Sequence, residues 1–249
     1  MNQMAVMIVG VDCATQENRI GLALGCFDGI EAYVEQVTVG SMVTSPSETI
    51  AGWVTGGSST LIALDAPLGW PAALGQALGV HEAGEPIQIE RNEMFRRMTD
   101  RVIKDKIGKQ SLDVGADRIA RTAHAALALL HGLRGLTSKA IPLAWKPVRT
   151  PFTCAIEVYP AATLTVCGIK ASGYKGKAGR AGRQAVLEQL QEHISLPHDT
   201  TLMERNDDAL DAAICVLAGV DFLGREVIEP DDIQLAKKEG WIWVRKPSQ

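Results

Sequence analysis

Two apolar runs of strand type, Met4 to Val11 and Thr60 to Leu64, each stop on an aspartate, Asp12 and Asp65. Between them the chain turns through the polar Cys-Ala-Thr-Gln-Glu-Asn-Arg at 13–19, resumes an apolar run at Ile20 to Gly25, and has another from Tyr33 to Val39. The alternation and the β-branched content predict three strands joined by short turns. Ser47 to Val54 reads as a short helix, because Ser45-Pro46 and Glu48 favour a first turn. The strand at 60–64 then runs into Asp65-Ala-Pro-Leu-Gly-Trp-Pro, whose two prolines force the backbone out of regular structure.

Residues 71–92 read as irregular. Ile119, Ala123, Ala126 and Leu130 recur at helical spacing and predict an amphipathic helix whose plain role is core packing. Phe152 to Val158 is a further strand candidate, and Ala181 to Ile194 a helix with Val186, Leu187, Leu190 and Ile194 on one side. Asn206 can cap a last helix running to about Gly219, with Leu210, Ile214 and Leu217 as its buried stripe. Trp241 to Val244 is a short strand or a packed tail. The order is that of an α/β fold with a mixed central sheet flanked by helices and a helical or irregular insertion at about 71–112, after the fourth strand. With no repeat or low-complexity linker, residues 1–249 read as a single domain with a C-terminal tail at 220–249.

A net charge of −4 argues against a chain that holds nucleic acid by its overall potential, so cationic contacts must be sought locally. The five cysteines are scattered and form no C-x-x-C pair, which fits a reducing compartment and offers no zinc site. The opening segment has no basic n-region, and its apolar stretch falls far short of the roughly 20 residues of a membrane span. The expectation is a cytoplasmic protein without a membrane partner.

Acids stand at element ends in four segments: Asp12, Asp65, Glu157, and the group Asp207, Asp208 and Asp211 on the last helix. At 3.6 residues per turn, Asp208 with Asp211, or Asp207 with Asp211, project from one face and repel. Two-metal phosphoryl chemistry needs several hard oxygen ligands around Mg²⁺ or Mn²⁺, and a bound cation explains keeping such a cluster. The bland readings are that Asp12 is a turn residue, that Asp65 hydrogen-bonds its own loop, and that the helix acids favour the positive end of the dipole. Glu17 fits a solvated hairpin turn.

Five ordered motifs, V-G-V-D-C-A at 9–14, I-A-L-D-A-P-L-G at 62–69, R-R-M-T-D-R at 96–101, A-I-E-V-Y-P-A-A at 155–162 and D-D-A-L-D-A at 207–212, together resemble the family called domain of unknown function 429. The resemblance spans about residues 6–219. Members are described as predicted RNase H-like nucleases, which implies an RNase H-like fold in which acids from the first strand, the end of the fourth and a late helix meet above the sheet. On that implication Asp12, Asp65, Asp208 and Asp211 are the metal ligands, and Glu157 joins them as a catalytic residue. The D-A-L-D-A run is also similar to the final-helix motif of RuvC-type junction resolvases, leaving open which of Asp207 and Asp208 is the ligand.

Arg96 to Lys109 carries six basic residues against two acids, and Lys170 to Arg183 carries five basic residues and no acid. These patches can neutralise phosphates, or can be solvated surface. Arg97, Asp100 and Arg101 of the family motif, and Lys175 and Lys177 of the glycine-rich stretch, are the expected substrate contacts, with Asp100 orienting an arginine. The leading expectation is a metal-dependent nuclease acting on a nucleic acid of unspecified type. The rivals are an actin-like nucleotide phosphotransferase, which the turn after Asp12 serves poorly for want of a glycine-rich phosphate loop, and a non-catalytic nucleic-acid-binding module. Oligomeric state stays open, a homodimer included.

Overall fold

The computed structural model describes residues 5–41, 43–54, 59–115 and 117–247; Met4, expected in the first strand, lies outside them. Strands β1 (Val6–Asp12), β2 (Gly21–Phe27), β3 (Ala32–Val39), β4 (Thr60–Asp65) and β5 (Cys154–Glu157) form one sheet in the order β3-β2-β1-β4-β5. β1 is antiparallel to β2 and β2 to β3, whereas β4 runs parallel to β1 and β5 parallel to β4. This is the expected mixed central sheet, open and flanked by helices.

Because strand side chains alternate, the sheet has two sharply different faces. Ile8, Leu61, Ala63 and Ile156 face α9 (Asp207–Leu223) in the larger core cluster. Val9, Val11, Ile62 and Leu64 face α1 (Pro46–Val54) and α5 (Asp117–Thr137), whose Ile50, Val54, Ala126 and Leu130 are buried against them. Helix α1 begins one residue before Ser47 and its capping box lies on Ser45: Ser45 and Glu48 exchange side-chain-to-backbone hydrogen bonds of 2.8 and 3.2 Å.

Helix α9 is buried nearly all round instead of along one stripe, because it lies between the sheet and the helices α6 (Pro160–Val166) and α8 (Thr201–Arg205). Two glycines let it lie so close. A Cβ on Gly10 would stand 2.1 Å from the Ala212 carbonyl oxygen, and one on Gly21 would stand 1.9 Å from that of Asp208. Asn206 caps α9 as expected, its Oδ1 accepting from the Ala209 N–H at 2.9 Å.

Three segments differ from the sequence reading. The stretch 71–92 contains α2 (Ala72–Leu78) and the start of α3 (Arg91–Phe95), short helices that periodicity over so few residues does not reveal. They are followed by α4 (Met98–Ile107). The strand expected at 152–158 is shorter, and the helix expected at 181–194 is α7 (Arg180–Leu190). The expected tail includes the end of α9 and a helix, α10 (Ile233–Glu239), and its Trp241 to Val244 are buried. Ile242 bridges to Glu157 beside β5, so the tail covers that sheet edge.

Candidate metal centre

Asp12 and Asp65 are direct register partners at the C-terminal ends of parallel neighbours β1 and β4, on the face that carries α9. Asp211, on the second turn of α9, completes a trio. One carboxylate oxygen from each of Asp12, Asp65 and Asp211 lies within 4.8 Å of the others. The proximity follows from the sequence: Gly10, two residues before Asp12 and on the same face, removes the side chain that would hold α9 away.

The trio is electrostatically costly. Burial, then the neighbouring Asp65, raises Asp12 well above the usual carboxylate range. Burial pushes Asp65 to about 7, with Lys175 pulling it down and Glu157 adding to the rise. Among the described residues, the one cation in direct contact comes from the glycine-rich loop, where the Lys175 ammonium meets Asp211 Oδ2. The Tyr174 hydroxyl, which sequence reading missed, donates to the other Asp211 oxygen at 2.9 Å. Burial and the carboxylates Asp65 and Asp12 raise its pKa, so it stays a neutral donor. The Gly176 N–H donates to Asp207 at 3.2 Å.

This loop is held by Arg183, counted above among phosphate-neutralising residues but buried. Its guanidinium donates to the carbonyls of Tyr174, Gly176, Glu204 and Arg205 at 2.6 to 3.4 Å. Lys177 stays exposed on the same loop. Asp208 is turned away from the trio into a two-bond pair with Arg19, at 2.8 and 3.1 Å. The sequence signal for Arg19 was weak, a lone basic residue closing the first hairpin turn.

Glu157 does not join the trio. Its register partner on β4 is Leu64, which faces α1 and α5, so strand parity sends Glu157 to the other side of the sheet from Asp65. There it receives two bonds from Arg97, at 2.7 and 2.9 Å, and one from the Leu68 N–H at 3.0 Å. Burial raises its pKa, and these three donors oppose the rise.

Arg97 is also corrected. It is 1% exposed, and its five N–H donors are all used, two on Asp100, two on Glu157 and one on the Glu239 carbonyl. No donor is left for a substrate phosphate. Asp100 is equally enclosed, accepting from Arg97 and from the Ser111 hydroxyl. The family motif at 96–101 thus builds a buried brace, while Arg101, one turn along α4, is half-buried. Glu239 ties this brace to the rest of the fold: its carboxylate accepts from the first N–H of α2 and of α4, both at 2.7 Å. It lies in a segment read only as a tail.

A family model matches residues 10–234. The chain belongs to the family described as "Protein of unknown function (DUF429)". No curated protein matches the chain. Among solved structures, the RuvC of T. thermophilus in complex with a Holliday junction substrate is similar at 12% identity, covering 84% of this chain and 93% of that one with a TM-score of 0.30. A likeness of that size decides nothing about activity or substrate. What membership adds is that the motifs at 62–69, 96–101, 155–162 and 207–212 all lie inside the matched span. Among the described residues, no helix is long and apolar enough to cross a membrane.

The donor set suits a hard divalent cation. Three carboxylates converge with no thiol or imidazole among them, which favours Mg²⁺ or Mn²⁺ over zinc or copper. Asp12 and Asp65, whose protons are held by burial and mutual repulsion, gain a partner that relieves both costs.

Proposed function

We propose that this protein is a metal-dependent nuclease that hydrolyses phosphodiester bonds, with Asp12, Asp65 and Asp211 holding Mg²⁺ or Mn²⁺. The observation carrying the proposal is the convergence of these three carboxylates within 4.8 Å at the ends of two parallel strands and one helix. A bound divalent ion would polarise the phosphoryl oxygen and lower the pKa of water. The residues supply the rest. Asp12 and Asp65 fix the ligand oxygens on rigid strand ends, and Tyr174 fixes the rotamer of Asp211. Lys175, 54% exposed and mobile on its stem, can leave Asp211 for the phosphate of a substrate, with Lys177 and Arg101 as further cationic contacts. Asp208, tied to Arg19, is a reserve ligand beside the trio.

The test is cleavage of single-stranded, duplex, hybrid and branched DNA and RNA with Mn²⁺ or Mg²⁺, together with ATP, by the wild type, Asp12→Asn and Asp211→Asn. Metal-dependent cleavage that drops at least a thousandfold in both variants supports the nuclease. Turnover of ATP alone replaces it with the phosphotransferase reading. Tight nucleic-acid binding without cleavage replaces it with a binding module.

A further inference from the structure

Beside Asp65 the strand ends open into a cavity of about 260 Å³ that shares Asp65, but neither Asp12 nor Asp211, with the carboxylate trio. Asp65, Pro67 and Tyr159 line it from the strand ends, Ile119 and Thr122 from α5, and Leu112 stands over it. Its floor is the buried brace of Arg97, Asp100 and Glu157.

The chemistry of the floor decides what can enter. Arg97, the only cation in the lining among the described residues, has every donor engaged, so among them three carboxylates face the cavity with no free positive group. A phosphate is repelled there. The four acceptor positions of Asp100 are filled by Arg97 and Ser111. Glu157 uses three of about four, leaving one free to accept. The Tyr159 hydroxyl, 3.4 Å from the Gln110 carbonyl, is loosely held and free to turn towards a ligand. The cavity therefore wants a neutral group that brings N–H or O–H donors, against the apolar side chains of Ile119 and Leu112. Leu112, 67% exposed, adds apolar surface at the rim.

Size narrows the choice. The volume equals about nine waters at ~30 Å³ each, and lies just under the ~300–1,000 Å³ of sites for drug-sized ligands. One planar ring system fits; a base pair does not.

We propose that this cavity receives the nucleobase of the nucleotide whose phosphate sits at the carboxylate trio, so that the substrate is single-stranded or presents that nucleotide unpaired. The inference rests on the nuclease reading for its substrate but on the cavity for its chemistry. A stacked, paired base cannot reach a recess behind Asp65, and unpaired or damaged bases leave the stack at least cost.

The experiment has two arms. In the first, oligonucleotides carrying one abasic position, moved along the strand, are cleaved with Mn²⁺ by the wild type, Thr122→Trp, which fills the cavity, and Leu112→Asp, which alters an exposed residue and leaves folding intact. The expected result is a loss of at least tenfold in kcat/KM when the abasic position adjoins the scissile phosphate, a similar loss in both variants, and no further abasic effect in Thr122→Trp. Equal cleavage of intact and abasic strands, or wild-type rates in both variants, overturns the proposal and leaves the nuclease standing. In the second arm, adenosine, guanosine, cytidine, uridine and ribose are titrated into the metal-free protein and followed by chemical-shift changes. If no strand is cleaved, nucleoside binding in the millimolar range that both variants lose still supports the cavity. Saturation by ribose alone, or by no nucleoside, overturns it.

Discussion

Replacing Arg97 with Met separates a structural from a substrate-binding role for the 96–101 motif, because the two predict opposite observables. The guanidinium is buried, and its removal strands the carboxylates of Asp100 and Glu157, at 0% and 3% exposure, with no other cation in contact. Breaking such a buried set by deleting one partner costs about 3–5 kcal/mol. In a chain of this length each kcal/mol moves Tm by about 2–4 °C, so Arg97→Met should melt ~6–20 °C below the wild type by circular dichroism. Arg97→Lys should recover little, since an ammonium offers three donors where five are used. Adding Glu157→Gln to Arg97→Met removes one of the stranded charges and should return about 1–3 kcal/mol, read as the coupling of a double-mutant cycle. A variant that melts within ~2 °C of the wild type while its nucleic-acid affinity and salt slope fall would refute this reasoning and put the guanidinium on a phosphate.

Four further outcomes follow from particular contacts. Lys175→Met should bind Mn²⁺ several-fold more tightly by calorimetry, because the ammonium on Asp211 no longer competes with the metal; weaker binding would show the lysine to be part of the site's support. Gly21→Ala drives a Cβ into the Asp208 carbonyl and should cost about 3 kcal/mol, ~6–12 °C in Tm, together with metal affinity. Gly52→Ala in α1, where a Cβ meets nothing within 4 Å, should melt at or slightly above the wild type. Burial, against the pull of Arg245, holds Asp221 at about 6, and its Oδ2 has no hydrogen-bond partner. Because the folded pKa exceeds the unfolded one, near ~3.9, the folded state keeps the proton longer and stability falls as pH rises from about 4 to 6, by about 3 kcal/mol. Asp221→Asn should flatten that slope, and a wild-type-minus-variant difference in melting that stays constant from pH 4 to 7 would contradict the assignment.

The strands, α1, α5 and the cap of α9 were legible because each depends on signals within a dozen residues: alternation, spacing, a serine or asparagine at a helix start. The helices α2, α3 and α10 were not. Each is five to seven residues long, and the α2 N-terminus is satisfied remotely, by Glu239 of α10 from 167 residues away. Nothing local in Asp65-Ala-Pro-Leu-Gly-Trp-Pro announces that a carboxylate from the far end of the chain will serve as the cap of the helix that follows.

The candidate site divides along the same line. Asp12 and Asp65 could be paired from the sequence as strand-end acids, and their convergence needs only that β1 and β4 be parallel neighbours in register. Asp208 and Asp211 were both expected as ligands, with Asp207 the alternative to Asp208, because one helix face spans them; which of them joins the trio depends on rotation about the α9 axis. That rotation is set by glycines on two other strands, Gly10 under Ala212 and Gly21 under Asp208, with Arg19 beside Gly21 taking the acid left over. Glu157 was misread for a reason that pattern does contain: β5 pairs with β4 so that Val158, not Glu157, follows the parity of Asp65, with the Val158 N–H bonded to the Leu64 carbonyl at 2.9 Å. The acids of the motifs at 62–69 and 155–162 therefore do two different jobs on the two faces of one sheet. On one face the acids converge and are left in need of a cation, and on the other Glu157 and Asp100 already have theirs in Arg97. The strand end between Asp65 and Glu157 is where the carboxylate trio and the recess over the Arg97 brace lie side by side, and on the proposed function that is the juxtaposition a single unpaired nucleotide would span.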